Sequence, residues 1–286
     1  MLERIYIEIG NICNLNCSFC GGTVKPKKQM TCEEFAFICE KIKNKTKFIY
    51  LHIMGEPLLH KDLNNILKIA KENELPVCIT TNGTLLKEKS EIILQNADSV
   101  HKVAISLHAP EGNDITDFND YLETAVSFAK SAAAKDIFTI FRLWNKDSAE
   151  GFGKNTQNRY IETFLKTKFK GDWQIRPRGY RLDKNIFLEF DGVFTWPSSS
   201  NAESVTKGFC HGLSSQLGIL ADGTVVPCCL DSNGEIELGN IFESSLEEIL
   251  NGKRATAIKQ NFAKGEIFEP LCQKCTFARK FKIRNN

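Results

Sequence analysis

Strand-like and helix-like segments alternate six times through the first two thirds of the chain, and that alternation narrows the fold more than any other feature. Arg4–Ile9, Phe48–Ile53, Val77–Thr80, His101–Leu107, Ile137–Trp144 and Trp173–Arg176 read as strands. Thr31-Cys-Glu-Glu34 has capping-box spacing and opens a helix to about Lys43. Asp62 to about Asn73, Leu85 to about Asn96 and Asn158 to Thr167 read as further helices. Asp117 to about Ala134 is a long one, with Tyr121, Ala125, Phe128 and Ala132 at helical spacing. Six βα units predict parallel strands joined by right-handed crossovers. Six strands are too few to close an eight-fold barrel, so a partial, splayed barrel or an open doubly wound sheet is expected. Either one puts its ligands at the carboxyl ends of the strands.

The pattern changes after about Arg181. Ile186–Phe190 and Val193–Trp196 read as a hairpin about Asp191-Gly192, and Leu217–Leu220 with Thr224–Val226 as a second about Asp222-Gly223. Ser245 to about Asn261 reads as one helix, and residues 279–286 as a frayed basic tail. The expected division is an α/β core over residues 1–181 and a small α+β extension over 182–286. No run of about 18 apolar residues is present, which predicts no transmembrane helix. The N-terminal residues enter a strand at once without a signal peptide's apolar core, so a cytoplasmic chain is expected. With 37 Lys+Arg against 35 Asp+Glu, the charge balance argues against a nucleic-acid reader.

Eleven cysteines in 286 residues are many for a chain expected in the cytosol, where disulfides are rare. Metal binding, catalysis or burial remain, and the cysteines are clumped. Cys32, Phe35, Cys39 and Ile42 form one apolar helix stripe, and Cys78 lies in a buried strand, which assigns those thiols to the core. Cys13, Cys17 and Cys20 share the loop after the first strand. A four-iron cluster takes four ligands and structural zinc four, so three thiolates leave one coordination position for an outside ligand.

A CxxxCxxC loop after the first strand of a βα series resembles the radical S-adenosylmethionine (radical SAM) superfamily. The resemblance implies a partial (β/α)6 barrel resembling a TIM barrel. It implies a [4Fe–4S] cluster on Cys13, Cys17 and Cys20 whose open iron binds SAM. Reduction then cleaves SAM to methionine and a 5′-deoxyadenosyl radical that abstracts a hydrogen atom. Phe19 matches the aromatic usual beside the adenine. Gly55-Glu56-Pro57 matches the motif near the SAM ammonium, with Met54 where a Gly is more usual. Asn82, in Thr81-Asn82-Gly83, and Ser106 match further strand-end positions, and Arg142 and Asn145 are candidates for the SAM carboxylate or ribose.

The C-terminal cysteines, with Gly223-Thr-Val-Val-Pro-Cys228, resemble the SPASM/Twitch extension of the same superfamily. That implies one auxiliary [4Fe–4S] cluster on Cys210, Cys228, Cys272 and Cys275, in the shorter, Twitch-like form. Cys229 competes with Cys228, and a four-Cys zinc site suits the same residues. Four protein ligands would make the auxiliary cluster an electron relay.

The substrate is expected to be a small molecule, with a flavodoxin or ferredoxin as electron donor. The stretch Trp173 to Arg181 offers Arg176, Arg178 and Tyr180, with Glu189, for a planar or anionic ligand. The compact layout suggests a lyase cutting the C–N bond of queuine, with Glu189, Asp117 and Asp191 as partners for a deazaguanine. A peptide maturase and a small-alcohol dehydrogenase are alternatives, as is a non-catalytic iron–sulfur or zinc protein.

Overall fold

The computed structural model describes residues 1–110, 113, 115–145, 156–192, 194–198, 200–202 and 204–277. Its first half runs β1 (Leu2–Ile7), α1 (Cys32–Ile42), β2 (Thr46–Tyr50), α2 (Leu63–Glu72), β3 (Val77–Thr81), α3 (Leu86–Gln95), β4 (Val100–Ser106), α4 (Phe118–Ala134), β5 (Phe138–Leu143) and α5 (Thr156–Lys168). The capping box at Thr31 and Glu34 is formed. Asp117 caps α4 through a bond from the Asp120 N–H. Then come β6 (Gln174–Arg176), β7 (Gly179–Asp183), β8 (Ile186–Phe190), β9 (Gln216–Ile219), β10 (Thr224–Val226), β11 (Gly239–Asn240), α6 (Leu246–Asn251), α7 (Lys253–Ala263) and α8 (Pro270–Gln273).

All strands join one sheet in the order β11-β10-β9-β1-β2-β3-β4-β5-β8-β7-β6. From β1 to β5 and on to β8 every pairing is parallel and the order never reverses. A doubly wound sheet needs a reversal. Its absence sends every right-handed crossover the same way, so the helices cover one face and the sheet curls around the other. The fold is therefore the partial barrel.

Alternation along the strands sorts the side chains. Ile5, Ile7, Ile49, Leu51, Val103, Ile105 and Phe141 are wholly buried in a core shared with Phe35, Ile38, Leu67 and Ala129 of the helices. The intervening residues face inward, and many are polar: Arg4 and Tyr6, Tyr50, Lys102, Arg142 and Glu189 line the interior. Tyr6, Tyr50 and Cys78 there form a second, smaller cluster.

Three expectations change. The sixth parallel strand is β8, not residues 173–176. Gln174–Arg176 is exposed and pairs antiparallel with β7, which turns back onto β8. The hairpin partner of Ile186–Phe190 is thus β7, through a turn in which Asn185 takes φ +59°. Asp191 and Gly192 lie beyond the end of β8, where Asp191 pairs with Arg178. Val193 lies outside the described residues, as does the tail 279–286. The helix expected from Ser245 to Asn261 is two, broken at Gly252, whose ψ of 153° is extended. The hairpin of β9 and β10 forms as expected. The division expected after residue 181 falls within β7, and β9 extends the barrel sheet as a parallel neighbour of β1.

Candidate active site

The loop after β1 is pinned before its cysteines begin and again after they end. Asn11 is buried; its amide donates to Pro26 O at 2.9 Å and its Oδ1 accepts from the Lys28 N–H at 2.9 Å. Between those pins the three thiols are free, with Cys13 and Cys20 exposed and Cys17 half-buried. Donors face two of them. The Leu15 N–H lies 3.5 Å from Cys13 Sγ and the Asn82 amide 3.9 Å from it, while the Asn113 amide lies 3.4 Å from Cys17 Sγ. Hydrogen bonds to sulfur stabilise thiolates bound to iron. Cys20 Sγ lies 3.9 Å from Met54 Sδ, so the methionine that replaces the usual glycine touches the third thiol.

The segment after β2 packs under this loop. Gly55 has φ +79°, and a Cβ there would stand 2.4 Å from Gly10 O and 2.9 Å from Ile12 N, so only glycine fits. Glu56 is buried. Its carboxylate accepts from the Leu58 N–H at 3.0 Å and from the Asn82 N–H at 2.7 Å, tying the ends of β2 and β3 together. Burial raises its pKa to about 7, against the pull of those two bonds. A carboxylate has about four acceptor positions, so capacity remains for an ammonium group. Pro57 starts the short 3₁₀ turn that follows. Asn82 also bonds Asn14, and its carbonyl accepts from the Tyr121 hydroxyl at 2.8 Å. Phe19 is half-buried, with its ring 5.1 Å from that of His108. His108 is buried, which lowers its pKa to about 4, and its Nδ1 contacts Arg142 O at 3.0 Å.

Cys13, Cys17, Cys20, Phe19, Glu56 and Asn82 therefore belong to one loop cluster. Ser106 ends β4, where its carbonyl accepts from the Ala109 N–H. Arg142 and Asn145 point elsewhere. The Arg142 guanidinium lines the barrel interior, donates to Thr80 Oγ1 at 3.3 Å and lies 4.3 Å from the Trp144 ring. Asn145 is wholly buried and accepts from Asn158, holding α5.

That interior is a cavity of about 410 Å³, within the usual range for small-molecule sites. One wall is the inward face of β1, β2, β4 and β5. Another carries Cys210, Cys228, Cys229, Cys272 and Cys275. Sequence reasoning missed Arg4, Tyr6, Tyr50, His52, Lys102 and Trp144 as lining residues; polar side chains at every second position of apolar strands were the available signal. Of the expected substrate residues, Arg178 and Glu189 line the cavity. Arg176 and Tyr180 lie outside it, on the surface around β6 and β7.

The C-terminal thiols are half-buried, as Cys17 is, whereas Cys13 and Cys20 are exposed. Burial raises the pKa of Cys210 to about 11, aided by Cys275, and raises Cys272, aided by Cys210 and Cys275. Cys228 is raised by burial and by Cys229, Cys210 and Cys272. Cys229 lines the same cavity, beside Tyr6, Arg4 and Cys210. Neutral thiols crowded without a counter-charge are what a bound metal centre converts to thiolates. The donor sets at both places suit iron–sulfur clusters. Among the described residues no three His, Cys, Asp or Glu side chains converge on a single-ion site.

The C-terminal region also braces the first loop. The Trp196 indole donates to Phe19 O at 3.0 Å and covers Gly21, where a Cβ would meet the ring at 2.5 Å. Ser232 donates to Gly22 O at 2.8 Å, and Lys25 pairs with Asp222.

Residues 7–143 match the family model of the radical SAM superfamily, and residues 210–276 match SPASM, an iron-sulfur cluster-binding domain. An AdoMet-dependent heme synthase of Methanosarcina barkeri is 31% identical over 281 residues, covering 83% of this chain and 78% of its own. This chain belongs to the radical SAM superfamily and is an enzyme. With that come S-adenosylmethionine (AdoMet), a [4Fe–4S] cluster and auxiliary iron–sulfur binding in the SPASM region. A probable GTP 3′,8-cyclase of Methanocaldococcus jannaschii is 32% identical over 139 residues, 46% of this chain and 45% of its own. The match thus spans less than half of that relative's length. The crystal structure of BtrN in complex with AdoMet and 2-DOIA superposes with a TM-score of 0.62 at 16% identity, covering 96% of this chain and 93% of that one. The likeness shows a shared fold. Among the described residues no helix is long and apolar enough to cross a membrane.

Proposed function

We propose that this enzyme acts on a small molecule held in the barrel cavity, with Cys13, Cys17 and Cys20 holding the SAM-binding cluster and Cys210, Cys228, Cys272 and Cys275 an auxiliary one. The observation that carries this reading is the cavity of about 410 Å³ walled on one side by the barrel and on the other by the C-terminal thiols. When bound and reduced, the first cluster supplies the electron that cleaves SAM to a 5′-deoxyadenosyl radical, which takes a hydrogen atom from the substrate.

The chain's own residues do the rest. Asn82 and Asn113 donate toward the sulfurs of Cys13 and Cys17. Glu56 presents a buried carboxylate to the SAM ammonium, with Gly55 and Pro57 fixing its turn, while Phe19 and Ser106 flank the cofactor. Cys228 rather than Cys229 ligates: Cys210 and Cys272 both act on it, whereas Cys229 is hydrogen-bonded to Tyr6 and sits beside Arg4 as well as Cys210. A flavodoxin or ferredoxin is the fitting electron donor.

Nothing supports queuine as the substrate. Asp117 is spent on capping α4 and Asp191 on Arg178, and the relatives given above are named for other reactions. The test is anaerobic: chain reconstituted with iron and sulfide, then given SAM and dithionite. Release of 5′-deoxyadenosine is expected. No release, with zinc recovered on metal analysis, overturns the reading. Incubation with cell-derived small molecules and with short peptides then sorts substrates by mass change, and turnover confined to peptides would refute the small-molecule part.

A further inference from the structure

The barrel cavity carries positive charge that no carboxylate among the described residues neutralises closely. Arg4 on β1, Lys102 on β4 and Arg142 on β5 all line it. Among the described residues none has a carboxylate within ion-pair distance, whereas Arg178, the fourth cation of the lining, is paired with Asp191. Glu189 reaches Arg142 only through space. Lys102 Nζ donates to the Tyr50 hydroxyl at 2.9 Å, and the Arg4 guanidinium lies 5.8 Å from the centre of the same ring. The two cations therefore meet around Tyr50.

Three polar atoms on this lining are buried with no hydrogen-bond partner: Arg142 Nε, Trp144 Nε1 and His52 Nδ1. A buried donor without a partner is destabilising, and a buried charge without one is more so. His52 shows the resulting field. Burial first, then Arg142 and Lys102, lower its pKa to about 3, so it stands neutral among cations. The cluster lies apart from the SAM loop, since none of Cys13, Cys17, Cys20, Phe19 and Glu56 lines the cavity.

We infer that Arg4, Lys102 and Arg142 form an anion subsite, and that the substrate is an acid whose carboxylate or phosphate group binds there. Lys102 offers its remaining N–H groups, Arg142 its Nε and Trp144 its indole N–H, while Tyr6 and Tyr50 wall the cavity beside them. The inference rests on the small-molecule reading above and adds the chemical class of the ligand.

The test is calorimetric titration of the reconstituted full chain, without SAM or reductant, first with inorganic phosphate and separately with succinate. One saturable site per chain is expected. Arg4→Met and Lys102→Met should each weaken it on the order of tenfold, the loss of one charge-assisted bond. Lys87→Met, which removes a surface pair with Asp120, should leave it unchanged. Tighter phosphate or tighter succinate tells which group the substrate carries. Should either cavity variant fail to fold, the His52 imidazole signals in the wild type serve instead, and they must shift as the anion saturates. Absence of saturable binding, or binding indifferent to both cavity variants with His52 unmoved, overturns the subsite. SAM cleavage by the wild type is scored separately. Cleavage without anion binding sinks only the subsite, and anion binding without cleavage sinks only the enzyme reading.

Discussion

The two cysteine sets use the same side chain in opposite surroundings. Cys13, Cys17 and Cys20 share eight residues of one loop and stand exposed or half-buried. Cys210, Cys228, Cys272 and Cys275 come from segments spread over 66 residues and line a cavity, and burial pushes the Cys210 thiol up to about 11. A compact motif on an accessible loop suits a centre that must admit an outside ligand. A dispersed, half-buried set around a cavity suits a centre closed by the protein. Yet the regions are not independent, because Trp196, Asp222 and Ser232 brace the first loop.

Cys20→Ser should produce the largest effect. It removes a ligand to the open cluster and should abolish 5′-deoxyadenosine formation, measured by chromatography after dithionite. Cys272→Ser should halve the iron content, leave SAM cleavage within about twofold and lower substrate turnover by about 10–100-fold. Equal loss of SAM cleavage in both variants would break the contrast between an open and a closed centre.

Glu56 gives a smaller, pH-dependent effect. Its folded pKa of about 7 lies above its ordinary value of 4.5, so the folded chain holds this proton more tightly than the unfolded one. Stability of the protein without SAM should therefore fall as pH rises from about 4.5 to 7, by up to about 3 kcal/mol. Denaturant melts of Glu56→Gln should lack that component of the slope. The smallest effect concerns two capping boxes, Thr31 with Glu34 at the start of α1 and Ser245 with Glu248 at the start of α6. Thr31→Ala and Ser245→Ala should each cost about 1 kcal/mol. One shared melting transition in both variants would mean that the two regions unfold together, as the braces require.

Much of the barrel was legible because period two and period 3.6 separate cleanly through β5. The sixth strand was not. Trp173–Arg176 sits where a strictly alternating βα series wants a strand, but its side chains are exposed, and only the pairing of Phe141 with Leu188 reveals which segment completes the array. Asp191-Gly192 carries a turn signal, but the strand hairpins earlier, at Asn185, with β7. Of the candidate site, the first loop was the easiest part to read, since its three candidate ligands lie within eight residues. Any choice between Cys228 and Cys229 needs the fold, because only the fold shows which side chains surround each thiol. Arg142 sits at a strand end, as expected, but its charge belongs to the cavity.

The parallel pairing of β1 with β9 also has a consequence for synthesis. β1 is made early, and β2 supplies one neighbour after some forty residues. Its other neighbour, Gln216–Ile219, is translated more than two hundred residues after Leu2. At roughly 5–20 residues per second, the edge of Leu2–Ile7 stays unpaired for roughly 10–40 s, with Ile5 and Ile7 awaiting their final burial. An open apolar strand edge is a template for wrong pairing. The nascent barrel is thus most exposed to aggregation before its C-terminal third emerges, so a chain stalled before residue 216 should need a chaperone to stay in solution.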